Sequence, residues 1–162
     1  MTPRIFVRHE KVKTADRLPI PTIKRIIRGT LKSENVHDGC EVSVLVTNNS
    51  GIMELNSKYR GLDAPTDVLS FPAYELEPGH FAVPQEGVFP ETGRIPLGDV
   101  VLSVEYVNSQ AEEYEHSVEW ETARLIVHAV LHLLGYDHEA GADARQMRMR
   151  EAEILLELGY RE

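Results

Sequence analysis

A chain of 162 residues, 42% hydrophobic and 27% charged, has the composition of an ordinary globular protein and the length of one domain. Its formal charge of −9 counts against a broad basic surface for nucleic acid, though not against a local basic cleft. One cysteine, Cys40, leaves no internal disulfide framework and suits a reducing cytoplasm. The absence of a signal-like apolar start, or of a run of about 18 apolar residues, predicts no membrane span.

In chain order, PRIFVRHE alternates enough to predict a first strand. IPTIKRIIRGTLKSENV then sets Ile23, Ile26, Ile27 and Leu31 at helical spacing. EVSVLVTNN alternates Val42, Val44 and Val46 with more polar residues, the pattern of a half-buried strand ending in a turn, and Cys40 beside it is expected in the core. NSGIMELNSKYRG places Ile52, Leu55 and Tyr59 on one helical face and Gly61 at its stop. TDVLSFP is a short strand closed by Pro72. Residues 73–96, with four prolines and three glycines, predict a long surface loop. GDVVLSVE resumes strand character, helical patterns follow over 104–116 and 118–134, and a last helix over about 142–158 stops at Gly159. This order predicts an α+β fold over 1–162, a single domain with a mixed sheet of about four strands packed with about five helices. Lys24, Arg25, Arg28 and Lys32 share one predicted helix and Glu112, Glu113, Glu115, Glu119 and Glu121 crowd another region; such charge stripes are usually solvated faces.

The chemistry concentrates in HAVLHLLGYDH at 128–138. His128 and His132 are four apart, so on a helix their rings share a face with Cβ atoms about 5–6 Å apart. Gly135 permits the left-handed turn that brings His138 back to the same point. Three neutral imidazoles about 2.0–2.1 Å from one ion leave a fourth tetrahedral position open, the arrangement of catalytic and not of structural zinc. The competing reading is a set of core histidines that meet backbone acceptors. His9, His37, His80 and His116 have no such partners and are expected to be surface or structural residues. Asp137 is either a carboxylate that orients an imidazole or a turn residue.

The spacing is that of zinc peptidases, but Ala129 stands where their motif carries a general-base glutamate. A catalytic metal lowers the pKa of water from 15.7 to about 7, so the nucleophile needs no separate base. What such a site needs is a cation that holds an anionic substrate, and arginine's planar fork suits a phosphate.

Three blocks complete the picture: NSKYRGLDAPTDVLSFP at 56–72, LGDVVLS at 97–103 and HAVLHLLGYDH at 128–138. With them the chain resembles the YbeY family of metal-dependent endoribonucleases from about residue 41 onward, and only loosely before it. The resemblance implies one α+β domain and a single zinc ion on His128, His132 and His138. It implies a functional arginine in the N-x-x-Y-R segment, here Arg60, and cleavage of single-stranded RNA during small-subunit ribosomal RNA maturation and ribosome quality control. The implied partners are ribosomal RNA and ribosome-associated proteins in the bacterial cytoplasm, with no nucleotide cofactor. The chain departs from the family at Ala129, where the family usually has glycine, and the segment 73–96 looks extended. Asp63, Thr66, Asp67 and Ser70 are candidates to line the same cleft, although Thr66 and Asp67 equally suit bracing the strand after them. Asp99 is ambiguous in the same way, and Trp120 and Tyr59 are either core rings or stacking platforms for bases. Two other functions compete: a divergent zinc peptidase, and a ribosome-assembly factor whose metal is mainly structural.

Overall fold

The computed structural model describes residues 2–36, 39–82, 93–139 and 141–161. Four strands, β1 (Arg4–His9), β2 (Cys40–Thr47), β3 (Val68–Pro72) and β4 (Ile95–Ser103), form one sheet in the order β1-β2-β4-β3. β1, β2 and β4 run parallel, and β3 lies antiparallel to β4 at the edge. The helices are α1 (Ile20–Ser33), α2 (Asn49–Arg60), α3 (Val104–Glu113), α4 (Val118–Leu133) and α5 (Gly141–Glu157). The described residues thus make an α+β fold with a mixed four-stranded sheet and five α-helices, as the periodicities predict.

Strand alternation divides the sheet's two faces. Val42, Val44 and Val46 point into the main core with Val100 and Leu102, where Ile23, Ile26, Ile27 and Leu31 of α1 meet them at 1% exposure or less. The opposite face holds a smaller cluster, Ile52, Leu69 and Val101, under α2. Cys40 is buried in the main core. No helix among the described residues is long and apolar enough to cross a membrane.

α4 runs through the centre of the molecule. Between Trp120 and Leu134 every residue is buried except Arg124, His128 and His132. A helix that is apolar almost all round has to be covered on all sides, and α1, α3, α5, β3 and β4 do so. The three exceptions repeat every fourth position, so they form one polar stripe along an otherwise buried cylinder. Ser117 fixes the start of this helix, its side chain accepting from Trp120 N–H at 3.0 Å.

Two expectations change. β4 begins at Ile95, two residues inside the predicted loop, because Pro96 reads as a turn signal; Gly98, where strand character is predicted to resume, sits at φ +140° where the β4 backbone passes close to Phe71. Tyr59 shares the apolar spacing of α2, yet it is 60% exposed, since the smaller cluster receives only the first turns of that helix; its ring meets Phe71 edge-on at 5.5 Å. Of the predicted loop, residues 83–92 lie outside the described residues.

Candidate metal centre

Buried packing fixes α4, and α4 fixes two imidazoles on its stripe. After Leu133 the chain turns at Gly135, whose φ is +100°. A Cβ there would run into the backbone carbonyl of Leu76, so only glycine serves both the turn and the close approach. The turn returns His138 to the stripe. One nitrogen from each ring then lies within 4.8 Å of the others. The Nε2 atoms of His128 and His132 stand 3.2 Å apart, and His138 Nδ1 is 3.0 Å from His132 Nε2.

The outer nitrogens decide what this cluster is. His132 Nδ1 lies 2.9 Å from the carbonyl of Tyr136, and His128 Nδ1 lies 2.5 Å from Glu151 Oε1 on α5. A carbonyl and a carboxylate only accept, so each Nδ1 carries the hydrogen, and in the neutral ring that leaves Nε2 with the lone pair a metal needs. Two lone pairs facing at 3.2 Å repel unless a cation stands between them. Nitrogens about 2.0–2.1 Å from a tetrahedral ion are about 3.3 Å apart, so the separations fit a metal. The donor set fits zinc, for which imidazole is a common ligand held in tautomer by such outer bonds. Burial, and then the charges of the neighbouring His128 and His138, push the His132 pKa down from 6.5 to about 4, so its ring is neutral and ready to ligate at neutral pH.

The cleft in front of these rings has a volume of about 370 Å3. Its far wall is β3 and the turn before it, with Arg60, Thr66, Asp67 and Ser70 on the lining. Gly61, at φ +67°, ends α2 and leaves Arg60 as its last residue. Arg60 Nη2 donates to the Ser70 carbonyl at 2.8 Å and its guanidinium lies 5.5 Å from the Phe71 ring centre. The structure therefore brings together the three histidines, Arg60, Thr66 and Ser70. Asp67 braces: Oδ1 accepts from Val68 N–H at 2.7 Å and from the Thr66 hydroxyl at 3.3 Å, while Oδ2 accepts from Gln110 at 3.4 Å. Ala129 is 1% exposed on the cleft floor.

Other residues fall outside. Asp63 is exposed and off the cleft lining. Asp137 accepts from Glu139 N–H at 3.1 Å, the bond of a turn residue, and the imidazole-orienting carboxylate is Glu151, which the sequence did not single out. Asp99 lies on the sheet face away from α4, in a separate hollow of about 890 Å3 with Phe6 and Phe71, where burial pushes its carboxyl up. Trp120 is 8% exposed and stacks on His116 with ring centres 3.9 Å apart. His9 Nε2 accepts from Leu18 N–H at 3.1 Å, His80 is exposed, and His37 lies outside the described residues.

Glu151→Gln keeps the size of the side chain and removes its charge. Metal affinity is expected to fall by about 10- to 100-fold, as for other partners of ligating histidines. Competition with a chromophoric chelator reads this directly; unchanged affinity would show that Glu151 only packs.

An α+β sheet that carries three convergent imidazoles with one side open is the architecture of a metal-dependent hydrolase. Comparison with known proteins narrows the class. The family model described as Endoribonuclease YbeY matches residues 5–159. Proteins named Endoribonuclease YbeY are 49% identical in a Roseiflexus species (85% of this chain, 82% of that protein) and 46% identical in Caldanaerobacter subterraneus (86% and 87%). Another, from Caldicellulosiruptor bescii, is 41% identical over 96% of this chain and 98% of its own length. The chain belongs to the YbeY endoribonuclease family. The match starts at residue 5, so it takes in the first strand and helix that the sequence blocks left aside. A solution structure of a Thermotoga maritima protein shares the fold, with a TM-score of 0.55 at 24% identity over 96% of this chain and 91% of that one.

Proposed function

We propose that this chain is a metal-dependent endoribonuclease that cuts single-stranded RNA with one zinc ion on His128, His132 and His138. The observation that carries the reading is the cleft itself: three convergent imidazole nitrogens on one wall, and an arginine on the other. The family membership supports phosphodiester hydrolysis. When bound, the ion supplies Lewis-acid charge and an acidified water. The protein's own part is to hold the phosphodiester. Arg60 is tethered by one bond to Ser70, and its remaining N–H groups, with no hydrogen bond among the described residues, can meet non-bridging phosphate oxygens. The buried floor around Leu125 and Ala129 keeps the dielectric low, so that this charge acts strongly.

The site of a peptidase's general base is the methyl group of Ala129, and Asp67 in the same cleft is committed to Val68 and Gln110. This favours RNA over peptide. We further place the activity in small-subunit ribosomal RNA maturation and ribosome quality control, in the cytoplasm, with ribosome-associated proteins as partners and no nucleotide cofactor. The net charge of −9 fits such partners, since an acidic protein gains little from free RNA outside a local cleft.

The test pairs single-stranded RNA with casein under the same conditions. RNA is expected to be cut and casein left whole; the reverse sinks the reading. Labelling the product ends separates the chemistry further. A 5′-phosphate with a 3′-hydroxyl marks direct attack by water, whereas a cyclic or 3′-phosphate marks attack by the RNA's own 2′-hydroxyl.

A further inference from the structure

The polar stripe of α4 has a member that the metal centre does not use. Arg124 stands one turn before His128, as His128 stands one turn before His132, and all three line the cleft. Its guanidinium is anchored from behind. Nε and Nη2 bond the carboxylate of Glu121 at 3.1 and 2.5 Å, and Nη2 lies 3.4 Å from Gln110 Oε1. Glu121 is itself fully buried. Nη1 makes no hydrogen bond among the described residues. A buried carboxylate spent on an arginine that faces a cleft is a positioning device, because it fixes the fork before any ligand arrives.

Arg124 is also a shared wall. On its other side lies a second hollow of about 270 Å3, lined by Gln110, Tyr114, His116 and Trp120. Tyr114 is 57% exposed there, and Trp120 Nε1 is buried without a hydrogen-bond partner among the described residues. The fold therefore brings a cation and exposed aromatic surface to the end of a cleft whose other end holds three metal ligands.

We propose that Arg124 binds the phosphate next to the one that is cut, and that the hollow beyond it takes the base of that neighbouring nucleotide. The proposal rests on the ribonuclease reading. One helical turn separates the arginine from the first metal ligand, about 5–6 Å between Cβ atoms, which is comparable with the step between successive phosphates of an extended strand. Arginine supplies the paired N–H groups that a phosphate accepts, and an exposed tyrosine ring offers the stacking surface by which single strands are held without regard to sequence. Glu121 is a positioning residue, acting through Arg124.

The experiment measures cleavage and binding of single-stranded RNA across a salt series, with metal content and melting temperature recorded for each protein. Removing Arg124 alone strands a buried carboxylate, so the main variant is the double change Glu121→Gln with Arg124→Gln. Its KM is expected to rise about 10-fold with kcat within about 2-fold, and the slope of log affinity against log salt to become shallower by about 0.7, the share of one phosphate contact on a single strand. Arg124→Lys is expected to recover the salt slope and part of KM, as a point charge without the fork. Tyr114→Ala, at an exposed position, is expected to raise KM about 5-fold or more without changing the salt slope. The proposal is overturned if the double variant matches an active wild type in KM and slope, or if it only melts earlier. A wild type that neither binds nor cuts RNA is a different result, and it removes the ribonuclease reading beneath the proposal.

Discussion

His132→Ala is expected to abolish stoichiometric metal binding and to lower RNA cleavage by at least about 10³-fold, equivalent to about 4 kcal/mol of lost transition-state stabilisation. His132 is the ring whose Nε2 neighbours both other nitrogens, at 3.2 and 3.0 Å, and its removal leaves two rings with no common partner. Loss of the ion also removes its mass-action stabilisation, about 2.7 kcal/mol when free metal is 100 times Kd. For a chain of this size that is a fall in Tm of roughly 5–11 °C, at about 2–4 °C per kcal/mol. Alanine leaves a gap in a partly buried site as well, so His138→Ala is the companion variant. His138 is exposed, and its loss is expected to remove metal while leaving the metal-free protein as stable as wild type. Elemental analysis after purification without chelator decides; full zinc content in either variant would falsify the site.

The same residue gives the metal-free protein a pH dependence of known sign. Unfolded, His132 takes a proton near 6.5; folded, it resists until about 4. Below 6.5 the unfolded state therefore binds the extra proton and is favoured. The stabilising contribution is present above pH 6.5 and is lost as pH falls from 6.5 towards 4. Chemical denaturation of metal-free wild type across that range is expected to show a steeper acid loss than that of His132→Ala.

What the sequence disclosed follows the reach of its signals. Repeats of 3.6 and 2 are local, so α1 and β2 are legible from Ile23, Ile26, Ile27, Leu31 and from Val42, Val44, Val46. The three histidines are legible for the same reason, being confined to a turn of helix and the loop after it. Glu151 lies 23 residues from the ring it orients, on a helix with several acidic side chains, and no spacing distinguishes it from Glu153 or Glu157. Arg124 was hidden differently. In a sequence it reads as one charge near a helix start, and only the burial of every neighbour from Trp120 to Leu134 marks positions 124, 128 and 132 as one face. Asp137 stayed open between two readings because adjacency to His138 in the chain suggests contact as readily as a turn; the fold takes the turn, with its carboxylate accepting from Glu139 N–H. Tyr59 misled because helical spacing says which residues share a face and not how far along the helix the partner surface extends.

Arg60→Ala is the variant that separates a nuclease from a scaffold. Arg60 is exposed, and among the described residues its bonds are one donation to the Ser70 carbonyl and a cation–π contact with Phe71. Together these contribute about 1–2 kcal/mol. The variant is expected to fold, to melt within a few degrees of wild type and to hold a full complement of metal. The role proposed for it across the cleft from the three imidazoles is charge: as the phosphodiester is attacked, negative charge grows on the non-bridging oxygens, and a fork already fixed by Ser70 would meet it without rearrangement. Removing one such donor costs about 10²–10³-fold in kcat, or about 2.7–4 kcal/mol. Because that charge appears only in the transition state, kcat is expected to fall much further than KM rises. Arg60→Lys keeps a cation but loses the planar pair of donors, so it is expected to recover part of the rate. If Arg60→Ala cuts RNA as fast as wild type with its metal in place, the arginine merely ties the end of α2 to β3, and the metal site becomes a structural feature of a protein that works by binding.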